Sequence, residues 1–534
     1  MKRSALWLAG LLLFAIPVVA DEGQHHEDLS PEQLGTVHFP VSCTASAQKS
    51  FERGVALLHS FWYEEGEKQF ELIVKDDPKC AMAHWGVAMS IWHQLWNQPN
   101  AETIKRGSEE VKKAQSLHPK SDRERDYIAA VGAFYTGEND YHARANAYSN
   151  AMAQMYRRYP DDREAAAFYA LSLLASEPDN DTSFTNRKKA AAVLEKLFAE
   201  EPNHPGVAHY LIHSYDKPQL AELGLPAARR YAKIAPASPH ALHMPSHIFA
   251  RLGLWQDDID SNLTSIAATR KTAAMHMGGE GHQYHAMDFL VYAYLQNGRE
   301  AEALRVIEEV KATPPMKDMH DMGYDPRAYS LSKFPAVCDL ELHHWAEAAA
   351  LTPVAEADSG NKAITYWARA IGAARAGNPA EARKDVAEME NIHKEMLGTK
   401  KAYFAGYVDD ARREAQAWVD HAEGKNEDAI KALRSLAEKE ESTGEEPVAI
   451  PAREMLADLL METQRPDQAL AEYEADLKFN PNRFNGLYGA ARAAELAGKT
   501  EKANTYYAQI LKVCDGSTSD RPELSRTKAL LAQK

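Results

Sequence analysis

The chain has 534 residues, 45% of them hydrophobic and 26% charged, with 77 acidic against 61 basic side chains and a formal net charge of -16. That apolar share excludes a disordered chain, and the acidic excess excludes nucleic acid and anionic lipid as partners, because the summed field repels both. The length suits several ordinary domains or one extended array of small repeated units.

Residues 1–20, "MKRSALWLAGLLLFAIPVVA", place Lys2 and Arg3 before an apolar run and close on the small residues Val18 and Ala20. This is the pattern of a secretory signal peptide cleaved after Ala20, with an uncleaved anchor as the competing reading. The mature chain is therefore expected to be exported, to the periplasm, and since no later stretch is a long uninterrupted apolar run, no membrane span is expected. Residues 21–46 are acidic and without periodicity, and are read as a mobile lead-in.

Four cysteines, Cys43, Cys80, Cys338 and Cys514, enter an oxidising compartment. Cys43 and Cys80 stand at the starts of what periodicity makes adjacent helices, so a bridge between them is easy and would contribute about 3–4 kcal/mol in the chain-entropy account. Buried free thiols are the alternative, above all for Cys338 and Cys514. Trp62, Trp85, Trp92 and Trp96 recur at helical spacing nearby and read as core or end-cap packing rather than a carbohydrate platform.

From Phe51 onward, helical apolar periodicity alternates with short breaks at Gly, Asn or Asp-Pro, and no run alternates with period two, so the fold class is all-α. Near the C-terminus "PAREMLADLLMETQRPDQALAEYEADLKFNP" is followed by "RFNGLYGAARAAELAGKTEKANTYYAQILKV", which sets Ala469 against Ala503, Tyr473 against Tyr507 and Ala457 against Ala491 at a period of 34. Here the chain resembles the tetratricopeptide-repeat family, whose unit has small residues where two helices cross, a late aromatic and a closing proline. Gly54, Gly66, Phe70 and Pro78 fit a first unit, and Gly298 with Ala303, Gly377 with Ala382, and Gly424 with Ala429 mark later ones. The resemblance implies a helical-hairpin solenoid coiled as a right-handed superhelix, with an N-terminal array over 47–355 and C-terminal repeats over 356–534. More narrowly, "LLHSFWYEEGEKQF", "DPKCAMAHWGVAMS" and "PHALHMPSHIFARLG" resemble a group of exported bacterial tetratricopeptide-repeat proteins of unsettled activity.

The same period governs histidines. "HYLIH" at His209 and His213 is repeated 34 residues later by "HMPSH" at His243 and His247, with His240 just before it. In the resembled family these positions line the concave groove. After an insertion, "MHMGGEGHQYHAMD" brings His282, His285 and Asp288 near the same stripe. Imidazoles four apart share a helical face, and neighbouring helices that aim such pairs at one point supply what a transition metal needs. A groove for a histidine-rich ligand or a plain polar network are the other readings. Pro245 interrupts the second pair, so that the helix is either kinked there or begins near Ser246.

Met244, Met275, Met277, Met287, Met316, Met319 and Met322 crowd the same region and, as thioethers beside imidazoles, would suit copper; as flexible side chains they equally suit core filling. Zinc would take the histidines with Asp288 or Glu280, and iron two histidines and a carboxylate. His59, His84 and His93 are read as histidines satisfied by local hydrogen bonds. Phosphate loops, H-E-x-x-H and nucleophile elbows are absent from the sequence. Three functions fit: a solenoid that holds a protein or peptide in its groove beside a metal, a metal-dependent hydrolase or oxidoreductase using the same histidines, or an envelope scaffold in which the histidines are incidental.

Overall fold

The computed structural model describes residues 29–95, 98–137, 140–179, 181–278, 281–314, 325–399, 402–444 and 448–532. The described residues fold into helices and turns with no strand, and successive helices pair as hairpins whose neighbours stack. Ala45–His59 with Tyr63–Asp76 begins the series, and Phe484–Leu496 with Thr500–Val513 ends it before a last helix, Pro522–Ala532. The architecture is a solenoid of tetratricopeptide-like helical hairpins.

The close crossings follow from the small residues. Phe70, on the second helix of the first hairpin, lies against Gly54 of the first helix and Gly86 of the following unit, and a Cβ at either position would run into its ring. Tyr473 lies against Gly489 in the same way near the C-terminus. An aromatic ring thus fills the space that two glycines leave, which lets the backbones approach.

Where the sequence suggests a loose lead-in, the described part of it, from residue 29, is packed down. Leu34, Val37 and Phe39 are buried, and the Phe39 ring meets Phe51, Trp85 and Tyr127 at centroid distances of 5.3, 5.4 and 4.8 Å. Thr36 N–H donates to the Asn203 carbonyl and Ala237 N–H to that of Gln33, stitching the segment across later units. Acidic composition hid the three apolar residues that do this. Cys43 and Cys80 form a disulfide with Cα atoms 4.9 Å apart, while Cys338 and Cys514 are buried thiols. Trp62, Trp85 and Trp92 are core residues; Trp96 lies outside the described residues.

The chain also returns on itself. Trp255 Nε1 donates to the Asn482 carbonyl at 2.8 Å, and Phe484 N–H donates to Gln296 Oε1 at 3.0 Å. The Arg483 guanidinium is buried between Glu341 and Glu454, at 2.8 and 2.6 Å, and also donates to the Tyr292 hydroxyl. Lys217 donates to the carbonyls of Thr443 and Gly444 at 2.6 and 3.1 Å. The C-terminal hairpins are therefore fastened to the units that carry the histidines. No helix among the described residues is long and apolar enough to cross a membrane.

The disulfide closes a separation of 37 residues, which in the chain-entropy account corresponds to about 4 kcal/mol. Replacing Cys43 and Cys80 together by serine is expected to lower the unfolding free energy by an amount of that order in urea titration. Oxidised protein should show two reactive thiols under denaturing conditions and four after reduction.

Candidate metal centre

The helix Pro205–Tyr215 starts on a cap in which the His204 side chain accepts the Val207 N–H at 3.2 Å, with Pro205 at its first position. The helix Pro239–His243 repeats this with Ser238 as cap and Pro239 first. Proline there lacks only a donor that would be unpaired anyway, so both starts are fixed. Register then places His209 and His213 one turn apart on the first helix and His240 and His243 near one turn apart on the second.

Pro245 produces a kink. The helix stops at His243, Met244 keeps a right-handed helical conformation, and a second helix, Pro245–Arg251, begins at once and carries His247. The stripe survives the break, since His243 Nε2 and His247 Nε2 are 3.1 Å apart.

Two groups of three nitrogens result. His209, His213 and His240 form one; His209 Nε2 lies 3.0 Å from His240 Nε2 and 3.1 Å from His213 Nε2. His243, His247 and His285 form the other, with His285 supplied by the helix His282–Gln296 and set at the solvent rim. Nitrogens bound to one metal at ~2.1 Å stand about 3.0–3.4 Å apart at octahedral and tetrahedral angles, so these spacings are those of cis ligands.

The opposite ring nitrogens decide which protons are present. His209 Nδ1 lies 2.6 Å from the His59 carbonyl, which can only accept, so Nδ1 carries the hydrogen. His247 Nδ1 lies 2.8 Å from Asp216 Oδ2. Burial opposes ionisation of Asp216, but Arg251, 3.0 Å away, and His247 hold its carboxyl well below the usual range. His243 Nδ1 donates to Asn262 Oδ1 at 2.7 Å; the amide is oriented because Asn262 Nδ2 donates to the Asp258 carbonyl at 3.0 Å and to its side chain. The Nε2 atoms of His209 and His243 therefore present lone pairs, and His247 Nε2 faces the His243 lone pair.

His243 Nε2 and His247 Nε2, 3.1 Å apart, enclose a place that a proton or a metal cation can fill. Burial and adjacent rings hold His209, His240 and His243 well below the ordinary imidazole range, and burial with His247 pushes His213 down to about 3.

Of the sequence candidates, His209, His213, His240, His243, His247 and His285 converge. His282 stands beside the clusters, its ring 5.5 Å from that of His240, and belongs to neither group of three. Asp288 is a correction. It follows His285 on the helix, but its Oδ2 accepts from Lys333 at 2.7 Å and from the Tyr329 hydroxyl at 3.3 Å, so its charge is directed to a lysine. Met244 and Met287 are buried in the apolar core, as core filling requires; Glu280, Met316, Met319 and Met322 lie outside the described residues.

Two further groups have metal-like composition and are accounted for otherwise. Cys43 and Cys80, next to Asp77, are joined by the disulfide, and Asp77 accepts the Thr44 and Lys79 N–H groups. His59 and His204 both donate to Glu164, at 2.8 and 2.9 Å, and each other ring nitrogen has its own partner, Tyr210 hydroxyl or Val207 N–H. His204 and His59 hold Glu164 well below the usual carboxylate range against its burial. This network positions the His59 carbonyl that orients His209. Gly206 is required beside it, because a Cβ there would strike the His59 ring. His84 is paired with Glu110 at 2.6 Å and His93 stacks on Tyr63, as local histidines do.

No protein-family model matches the chain, and no curated protein matches it. Among solved structures, a human IFIT1 dimer with m7Gppp-AAAA is 12% identical over 85% of this chain and 95% of that one, at a TM-score of 0.37. A human IFIT1 dimer with PPP-AAAA is 13% identical over 82% and 91%, at 0.35, and Naa15/Naa10 bound to HypK-THB is 11% identical over 92% and 96%, at 0.23. Likeness at these scores transfers neither ligand nor activity.

The depressed histidines make stability depend on pH in a definite direction. Below about 6.5 the unfolded chain takes up protons that the folded site refuses, so for His213 the destabilisation grows as pH falls from about 6.5 to about 3. The unfolding free energy of chelator-treated protein, from urea titration, is expected to decline across that window, by ~1.4 kcal/mol per pH unit for each refused proton. His213→Ala should give a shallower decline.

Proposed function

We propose that this chain is an exported, periplasmic helical-repeat binding protein whose histidine-lined centre holds a transition metal. One observation carries the reading: His243 and His247 commit their Nδ1 hydrogens to Asn262 and Asp216 and bring their Nε2 atoms to 3.1 Å from each other. A hydrogen-bonded core histidine has no need of that arrangement, whereas a metal ligand is oriented in this way by an acceptor behind it. The fold supports a binding or scaffold role, with a protein or peptide as occupant of the groove, and the N-terminal "MKRSALWLAGLLLFAIPVVA" supports export.

The reading of the chain as a metal-dependent enzyme draws on a separate feature. Each cluster offers three nitrogens, and three protein ligands leave a coordination position open for water or a substrate.

Elemental analysis of purified mature protein tests the binding reading. Wild type is expected to retain copper, zinc or iron in near-stoichiometric amount, and His243→Ala with His247→Ala to lose at least half of it while keeping the helical circular dichroism. Asp216→Asn, which leaves all six imidazoles in place, should weaken metal affinity ~10–100-fold in chelator competition. Equal and negligible metal in wild type and the double variant, after growth and reconstitution with each ion, would remove the metal.

A further inference from the structure

The two clusters are mechanically one object. His240 belongs to the first and His243 to the second, yet both stand on the short helix Pro239–His243, near one turn apart, with ring centroids separated by 6.3 Å. The two clusters are thereby immediate neighbours, joined by rings 6.3 Å apart on one helix. His282 stands at the seam, next to His240. Each cluster also has its own phenylalanine. Phe61 meets His209, His213 and His240 at centroid distances of 4.4, 5.6 and 5.5 Å, and Phe289 meets His243, His247 and His285 at 5.0, 4.6 and 5.3 Å.

The donor chemistry narrows the ion. All six donors are imidazoles, which ligate a metal without contributing negative charge, and neighbouring carboxylates are already engaged: Asp216 by Arg251 and His247, Asp288 by Lys333. Asp258 is separated from His243 by the Asn262 amide. Two divalent ions would bring four positive charges into this enclosed place, and two monovalent ions only two. The cost of burying charge rises steeply with its magnitude, which favours the lower charge. Among ions that imidazole binds well, copper is the one with a stable monovalent state, and that state is satisfied by three ligands.

On the reading of a transition-metal site given above, we propose that the paired clusters hold two cuprous ions as one dinuclear centre that takes dioxygen between them. Each copper gives up one electron, the O–O bond order falls from two to one, and the two cupric ions are balanced by the two negative charges of the reduced oxygen. The total charge in the pocket stays at two positive throughout, and no proton is needed. Phe61 and Phe289 each set an apolar ring against one of the two clusters.

Metal-free mature protein titrated with cuprous ion under nitrogen, against a coloured cuprous chelator, is expected to bind two per chain. His209→Ala with His213→Ala, and separately His247→Ala with His285→Ala, should each retain one, with unchanged helical circular dichroism. On admission of dioxygen, wild type should take up one molecule per two coppers, develop a near-ultraviolet charge-transfer band, and show no cupric paramagnetic signal because the two spins are coupled. Neither double variant should form the band. One cuprous ion per wild-type chain, no reaction with dioxygen, or the paramagnetic signal of two independent cupric ions would each overturn the dinuclear centre. Tight binding of zinc or iron without cuprous binding would overturn it too while leaving the transition-metal reading intact, and failure to bind any of the three ions would remove both.

Discussion

A neutral imidazole has one hydrogen to give and one lone pair to offer, and the interior of this protein settles which nitrogen does which. Once Nδ1–H of His209, His243 and His247 is committed to the His59 carbonyl, Asn262 and Asp216, their Nε2 atoms must face whatever lies ahead of them, and what lies ahead is other imidazole nitrogens. The surrounding construction sustains that commitment. Glu164 fixes His59 and His204, Gly206 makes room for the His59 ring, and Asp258 turns the Asn262 amide so that its oxygen meets His243. Removing any of these leaves the ligands in place but loosens the direction in which they point.

The repeat explains why such a device arises here. A period of 34 returns a capping side chain and a proline at His204-Pro205 and again at Ser238-Pro239, so two neighbouring helices start at equivalent places and carry imidazoles at equivalent turns. Pro245 then departs from the repeat by ending one helix at His243 and starting another, yet His243 and His247 on either side of it stay together with His285. The division falls instead within the helix Pro239–His243, where His240 joins the pair from the preceding unit and His243 turns to the following one.

Spacing along the chain made the helical class and the hairpin unit legible, and it named six of the histidines that the fold gathers into two clusters. The orienting partners were out of reach for the same reason. Asn262 lies 19 residues from His243 on the opposite helix of its hairpin, and Asp216 meets His247 across a unit boundary; neither belongs to a repeated position. Asp288 looked like a ligand because it follows His285 at helical spacing, but Lys333, arriving from a distant helix, is the stronger partner for a buried carboxylate. The packed lead-in escaped notice because three apolar residues within acidic surroundings carry no period.

The supports of the two clusters come from different parts of the chain, and this bears on how the centre can respond to its surroundings. The first is braced from the N-terminal side, by His59 and the Glu164 network. The second leans on the C-terminal hairpins at two points: Asp216 is followed by Lys217, which holds the Thr443 and Gly444 carbonyls, and the helix that supplies His285 carries Tyr292 two turns further on, against buried Arg483. A buried guanidinium shared by two carboxylates tolerates little displacement, because any lost partner leaves an uncompensated charge. The Arg483 cluster therefore resists sliding of the returning hairpins over the His285 helix. Any rearrangement of those hairpins that did occur would reach His247 and His285 before it reached His209 and His213, so the second cluster is the one whose geometry depends on the solenoid remaining closed.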